Sequence, residues 1–340
     1  MNSERYTELA ACFPNLHLGV LGDFCLDRYF DIDPQRGEIS IETGLPVFNV
    51  AGVRSLPGGA GTVLNNLVAL GIGKLSPIGF CGEDGEGFEL RRALAHLKGV
   101  ELSGFLTTDQ RRTFTYGKPL VVRPGQPPQE LNRLDFKNWT ATPGDVEDWL
   151  VAQLEAIFPA LDGLIVMDQV DHANTGVVTQ RVLQSVEQLS QQRPDLLILA
   201  DSRRGLRDYP PLGYKMNAAE LSGMSGLAAD APLVAIQSAC LETSQRTGRP
   251  VFVTLAERGI LGALPDGTTH HVPAFAVRGP IDIVGAGDSV TANLTAALAA
   301  GASLAEALQA AMAASSLVIH QLGVTGTANV IEICQLLDQL

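Results

Sequence analysis

The sequence predicts an α/β protein: a doubly wound, mostly parallel sheet with helices on both faces and a small β-sheet lid. Three observations lead there. After Pro143, apolar runs of strand length alternate with runs of helix length, the rhythm of a parallel sheet covered on both faces. Two segments, about 30–56 and 107–136, break that rhythm with alternating polar and apolar residues, as strands solvated on one face do. Polar groups gather where strands end: Asp27, Asp168, Asn217 with Glu220, and Asp282 with Asp288. In a parallel sheet such ends share one edge, and open α/β sheets bind ligands there.

Taken in order, Leu16–Leu21 reads as a buried strand ended by Gly22-Asp23, with Asp27 just beyond it. Segment 30–56 follows, with Glu38-Ile39-Ser40-Ile41 and Pro46-Val47-Phe48-Asn49-Val50 as short strands. Pro57-Gly58-Gly59-Ala60-Gly61-Thr62 is a turn of small residues that admits a ligand close to the backbone, and it opens a helix from Val63 to Leu70. Leu75–Phe80 is a strand, and Gly79 to Gly87 turns into a helix from Phe88 to Leu97. Segment 107–136 joins segment 30–56 in one accessory sheet over the ligand edge. Helices are then expected at 146–158, 175–191, 233–247, 288–300 and 305–322, and strands at 163–167, 196–200, 214–216, 251–255, 260–264 and 272–277. No repeat or low-complexity linker marks a boundary, so residues 1–340 read as one domain carrying that lid.

Composition narrows the class. Apolar residues make up 46% and charged residues 18%, which is globular. A net charge of −13 without a basic run argues against nucleic acid and anionic membranes as partners. Cys12, Cys25, Cys81, Cys240 and Cys334 are scattered in or beside apolar stretches and form no metal-ligand spacing. No apolar leader occurs in Met1–Cys12, and no run of 18 apolar residues occurs anywhere. These features predict a reduced, cytoplasmic protein.

The chemistry is concentrated in Asp282-Ile283-Val284-Gly285-Ala286-Gly287-Asp288, which follows a β-like run and opens a long helix. Small residues at a helix start leave its N–H groups open to an anion. Asp288, just inside that start, is able to take a proton from a hydroxyl while those groups hold developing negative charge. The same letters also suit an ordinary capped turn. Asn217-x-x-Glu220 suits a phosphate-contacting amide beside a carboxylate that holds Mg²⁺ directly or through water. It also suits a helix capping box, and the two roles are compatible.

Five pieces occur together: Gly58-Gly59; Gly79, Gly82, Asp84 and Gly87; Asn217-x-x-Glu220; Val253-Thr254-Leu255-x-x-x-Gly259; and Asp282-x-x-Gly285-Ala286-Gly287-Asp288. In this order they resemble the PfkB (ribokinase-like) family of carbohydrate kinases, from about Leu16 to Val330. Within it, Gly22-Asp23-x-x-Leu26-Asp27-Arg28-Tyr29, Arg133-Leu134-Asp135-Phe136 and Asp201-Ser202-Arg203-Arg204-Gly205 look most like the kinase half of bifunctional heptose-7-phosphate kinase/adenylyltransferases. A chain ending at Leu340 is expected to lack the adenylyltransferase half.

The resemblance implies a ribokinase-like fold, ATP and Mg²⁺ as cofactors, and a sugar as the acceptor. Asp288 would be the base, and Gly285, Ala286 and Gly287 would supply N–H groups around the transferred phosphate. Asn217, Glu220, Thr254 and Gly259 would serve the nucleotide, with Glu220 and Asp282 on the metal side. Asp27, Gly58, Gly59, Thr62, Asn66 and Arg112 would hold the sugar. A monovalent cation near Asp282 and a homodimer formed through the lid also follow from the resemblance. Four departures qualify it. Thr62 stands where the family has Asn, Ala256 where it has Gly, and Val284 where it has Thr. Gln169-Val170-Asp171-His172 replaces a stretch that carries Lys-Gly in heptose kinases, which argues against a phosphorylated sugar held in their way. The sequence thus predicts a sugar kinase; its alternative is a non-catalytic nucleotide- or sugar-binding protein on the same fold.

Overall fold

The computed structural model describes residues 1–339. In chain order, α1 (Ser3–Ala10) precedes β1 (His17–Gly22) and β2 (Phe24–Ile32). A short hairpin, β3 (Glu38–Ile39) and β4 (Pro46–Val47), leads to β5 (Val50–Gly59) and α2 (Ala60–Leu70). Then come β6 (Lys74–Gly82), α3 (Gly85–Ala95), β7 (Phe105–Thr108), β8 (Phe114–Val121), β9 (Gln129–Glu130) and β10 (Leu134–Phe136). The regular part runs α4 (Gly144–Ile157), β11 (Gly163–Asp168), α5 (Gln180–Gln192), β12 (Ile198–Ser202), β13 (Gly213–Asn217), α6 (Ala218–Ser225), α7 (Leu233–Thr247) and β14 (Val251–Thr254). It closes with β15 (Ile260–Ala263), β16 (Thr269–Val272), α8 (Ala286–Ala299), α9 (Leu304–Val318) and α10 (Val330–Leu337).

The large sheet has the order β16-β15-β14-β13-β12-β11-β1-β6-β7. Its pairs are parallel from β14 to β7, and β15 and β16 add an antiparallel edge. Apolar residues on both faces of the strands require helices on both sides. One core joins Leu18 and Val20 of β1 to α2, α8 and α9, and the other joins Leu21 to α4, α5 and α7. From β1 the chain first winds outward through β6 and β7, then returns to β11 and winds the other way. That reversal opens a crevice between the C-terminal ends of β1 and β11.

A second sheet, β10-β8-β2-β5 with β9 beside β8, stands over this edge. It begins at Phe24, so Asp27 lies within a lid strand and not in a loop after β1 as the sequence suggested. Other boundaries shift for local reasons. The expected helix from Thr175 starts at Gln180, where the Thr179 side chain caps it. Residues 176–177 instead wrap the Asp23 carboxylate, which accepts N–H groups of Val177 (2.6 Å) and Gln169 (2.8 Å). The expected strand at 272–277 ends at Val272, because Pro273 has no N–H to extend the ladder. The sequence reading also passed over α1, α10 and β7, and it marked α6 only by its capping box.

Candidate active site

The floor of the crevice is the start of α8. Gly285 caps it at φ +82, a left-handed conformation that favours glycine. Ala286 donates its N–H to the Ile283 carbonyl (3.2 Å), so it is not open to an anion as the sequence reading assumed. Gly285, Gly287 and Asp288 keep N–H groups with no acceptor among the described residues. A side chain on Gly287 would bring its Cβ to 3.0 Å from the Lys215 ammonium. Lys215 of β13 is buried and donates to Asp201 of β12 at 2.8 Å; Thr291 of α8 donates to the same oxygen at 3.0 Å. Burial alone would strip the Lys215 proton, but the Asp201 carboxylate reverses the effect, so the pKa is raised and the side chain stays cationic. Asp288 is half-buried, and its pKa is pushed up to about 7, first by burial and then by Asp201, with Lys215 opposing and Asp27 adding to the rise.

The lid forms the facing wall. Residues alternate across a strand, and the registers of β2, β5, β8 and β10 put Asp27, Tyr29, Gly58, Tyr116, Lys118 and Asp135 on its inner face. Asp27 is buried and packs on Gly58, where a Cβ would meet its carboxyl carbon at 2.9 Å. Lys118 lies 3.3 Å from Asp27, donates to the Tyr29 hydroxyl at 3.2 Å and covers the Tyr29 ring. Burial raises the Asp27 pKa against the pull of Lys118. Gly59, at φ +58, closes tightly over the Asp23 carbonyl. Thr62 sits under Gly285, its methyl 3.5 Å from where a Cβ there would be.

Two expected sugar contacts do not reach this wall. Asn66 is 0% exposed and donates to the Thr62 carbonyl, one turn back inside α2. Arg112 lies over the ring of Phe136, on the lid's opposite face, and 3.6 Å from Asp84. Asp84 caps α3 and accepts the N–H and hydroxyl of Thr113, which explains the Gly82-Asp84-Gly87 segment as a tie between helix and lid.

At the end of β13, Asn217 and Glu220 form a capping box at α6: the Glu220 N–H donates to Asn217 at 2.9 Å and the Asn217 N–H to Glu220 Oε2 at 2.7 Å. Glu220 Oε1 keeps no protein partner among the described residues. The Glu220 pKa is raised, chiefly by burial and also by Asp201, against the Asn217 N–H. No group of three or more potential ligands gathers among the described residues. One free carboxylate oxygen fits Mg²⁺, which binds through one or two carboxylates and keeps its other positions for water and phosphate. Asp282 does not present such a free carboxylate: its oxygens accept the N–H groups of Val284 (3.0 Å) and Gly323 (3.3 Å), tying the loop before α8 to the loop after α9. Thr254 ends β14 with its hydroxyl 3.4 Å from the Met216 carbonyl. Gly259 has φ +95 and its Cα faces the Val272 carbonyl, so no side chain fits.

Ala256, between them, has φ +52, the left-handed region that costs a residue with a Cβ about 1–2 kcal/mol. Ala256→Gly is therefore expected to raise stability by about 1 kcal/mol and the melting temperature by about 2–4 °C. A calorimetric scan showing no rise would remove the strain from this account.

A doubly wound sheet, a β lid over its edge and an acid at a glycine-rich helix start together make up a ribokinase-like architecture. The chain belongs to the pfkB family of carbohydrate kinases, which matches residues 25–330. It is similar to the bifunctional protein HldE of Azorhizobium caulinodans, 32% identical over 307 residues that cover 90% of this chain and 61% of that protein. The chain thus spans about three fifths of that relative's length. Its fold is that of Escherichia coli phosphofructokinase-2, solved in complex with substrates and products (TM-score 0.72, 20% identity, 96% of this chain and 99% of that one). It is also that of Arabidopsis thaliana ribokinase, complexed with ribose and ATP (TM-score 0.66, 19% identity, 95% and 98%).

Sequence reasoning passed over Lys118 and Lys215, and it quoted Asp201 and Gln169 only within longer motifs, without a role of their own. Lys215 had a signal: a lone charge within the apolar strand Gly213-Tyr214-Lys215-Met216, where lysine is buried only when paired. Nothing local marked Lys118, whose partner comes from another strand.

Proposed function

We propose that this chain transfers the γ-phosphoryl group of ATP to a hydroxyl of a sugar or sugar-like alcohol. The observation that carries the reading is the position of Asp288. It lies beside three open N–H donors, above the Lys215–Asp201 pair and within the electrostatic reach of Asp27 on the lid. The acceptor hydroxyl would lose its proton to Asp288 as its oxygen bonds to the γ-phosphorus. The bond from that phosphorus to the bridging oxygen breaks, and ADP leaves. N–H groups of Gly285, Gly287 and Asp288 face the charge that spreads over the phosphoryl oxygens. Glu220 would hold Mg²⁺ on the nucleotide side, where the ion neutralises phosphate charge. Asp27, Thr62 and the Gly58-Gly59 backbone would position the acceptor. A monovalent cation between the loops that Asp282 ties would stiffen the anion hole. Purified protein given ATP, Mg²⁺ and a panel of sugars and polyols should release ADP and form a phosphate ester detectable by phosphorus NMR. ATP binding without any ADP release across the panel would sink the kinase reading.

The lid bears exposed Ile39, Phe48, Val50, Val53, Leu134 and Phe136. Apolar side chains so grouped favour burial against a partner, and we infer that a second copy covers them. Sedimentation should give a dimer that Phe48→Glu weakens; a monomer at micromolar concentration would exclude it. Among the described residues no helix is long and apolar enough to cross a membrane.

A further inference from the structure

Resting on the kinase reading above, we infer that the acceptor is an uncharged polyhydroxy compound, held through its hydroxyl groups and not through a phosphate or carboxylate. Besides Arg54, which Asp31 holds at 3.2 Å beside the Tyr29 ring, four basic side chains line the lid wall and its rim, and each is already held by a carboxylate. Lys118, half-buried, pairs with Asp27 at 3.3 Å and with the Tyr29 hydroxyl. Arg133 forks onto both oxygens of Asp135, at 3.0 and 2.6 Å, with its guanidinium stacked on Tyr116. Lys137 lies 2.6 Å from Asp171 and 3.6 Å from Asp135. Arg203 lies 3.4 Å from the other oxygen of Asp171 and is the loosest of the four.

A phosphate ester would have to take these cations from their partners and leave carboxylates beside its own charge. Breaking such pairs is costly where they are shielded from water, as at Asp27 and Lys118. It would also crowd a second anion beside Asp288 and the triphosphate of ATP. The hydrogen-bonding groups left free on the wall are mostly neutral. Tyr116, kept protonated by burial, has a hydroxyl with no partner among the described residues. Gln169 packs against Gly59 and offers its amide carbonyl, since only its NH₂ is engaged, on the Met167 sulfur. Asp27 Oδ1 has no protein donor and is able to accept from a hydroxyl. Groups of this kind recognise hydroxyls and leave an anion unmatched.

The test pairs each free pentose, hexose and heptose of a panel with its own terminal phosphate monoester and compares kcat/KM by ADP release. The free sugar of the best pair should be preferred by at least about tenfold. Asp171→Asn, which frees Arg203 and leaves Lys137 with Asp135 alone, should raise kcat/KM for the phosphate ester by about fivefold or more. Preference of the wild-type protein for the phosphate ester would overturn the inference and leave the kinase reading intact. Absence of ADP release with every member would instead sink the kinase reading. In that event calorimetry with each free sugar and its own phosphate ester decides: tighter binding of the esters overturns the inference, and tighter binding of a free sugar upholds it.

Discussion

Asp288→Asn is expected to lower kcat by about 10²–10⁴-fold, the usual share of a general base. The variant keeps the shape of the side chain and its place in α8, so nucleotide affinity should change little. The wild-type rate should also fall as the pH drops below about 7, where Asp288 takes up its proton. The same substitution should stabilise the fold. The Asp288 pKa is raised well above the ordinary 3.8, so the folded chain binds a proton that the unfolded chain gives up, and its ionised form strains the fold. Above pH 7 the wild type carries that cost in full, and the asparagine does not; below pH 4 both side chains are neutral. Asp288→Asn should therefore gain about 2–4 kcal/mol at pH 8 and lose the advantage toward pH 4. Denaturant melts at the two pH values check this. An unchanged rate would remove Asp288 from the chemistry; an unchanged melt at pH 8 would remove the strain.

Lys215→Met is expected to cost about 3–5 kcal/mol, because it leaves Asp201 as a buried charge without its partner. The Lys215 pKa is raised, so its contribution is complete below its ordinary value of 10.5 and is lost only when the pH climbs past the raised one. The loss should accordingly be constant across the usual assay range. Asp288 would feel Asp201 uncompensated, and the acid limb of the rate profile should move up by about one pH unit or more. Asp201→Asn combined with Lys215→Met removes both charges. It should recover much of the stability and bring the acid limb back toward the wild-type position. A double variant as unstable as the single one would mean that shape, not charge, decides this site. An unmoved acid limb in Lys215→Met would disconnect the pair from Asp288.

Much of the fold was legible because its signals are local. Strand and helix periods survive in the sequence of β1, β6, β11 and α7, and α7 was placed at 233–247 to the residue. Asn217-x-x-Glu220 was readable as a capping box because both its bonds span only three residues. Short amphipathic ends were less visible: α10 has only eight residues, and its apolar side chains pack on α1 and α9, distant in sequence. Asn66 and Arg112 stand away from the lid wall for a related reason. Each has a polar side chain near the right backbone, but helix phase turns one inward, and the other, in the loop before β8, is drawn to Asp84 and the Phe136 ring on the far face.

By itself the sequence determined the family, the doubly wound rhythm, and a helix start whose glycines and Asp288 lie within four consecutive residues. These are properties of neighbours, and neighbours are what a sequence records. Only the tertiary structure decided which charges meet. Lys118 finds Asp27 because β8 runs beside β2, and Lys215 finds Asp201 because β13 runs beside β12. Burial then makes those meetings matter, since an ion pair screened from water shifts the pKa of a nearby acid and a solvated one barely does.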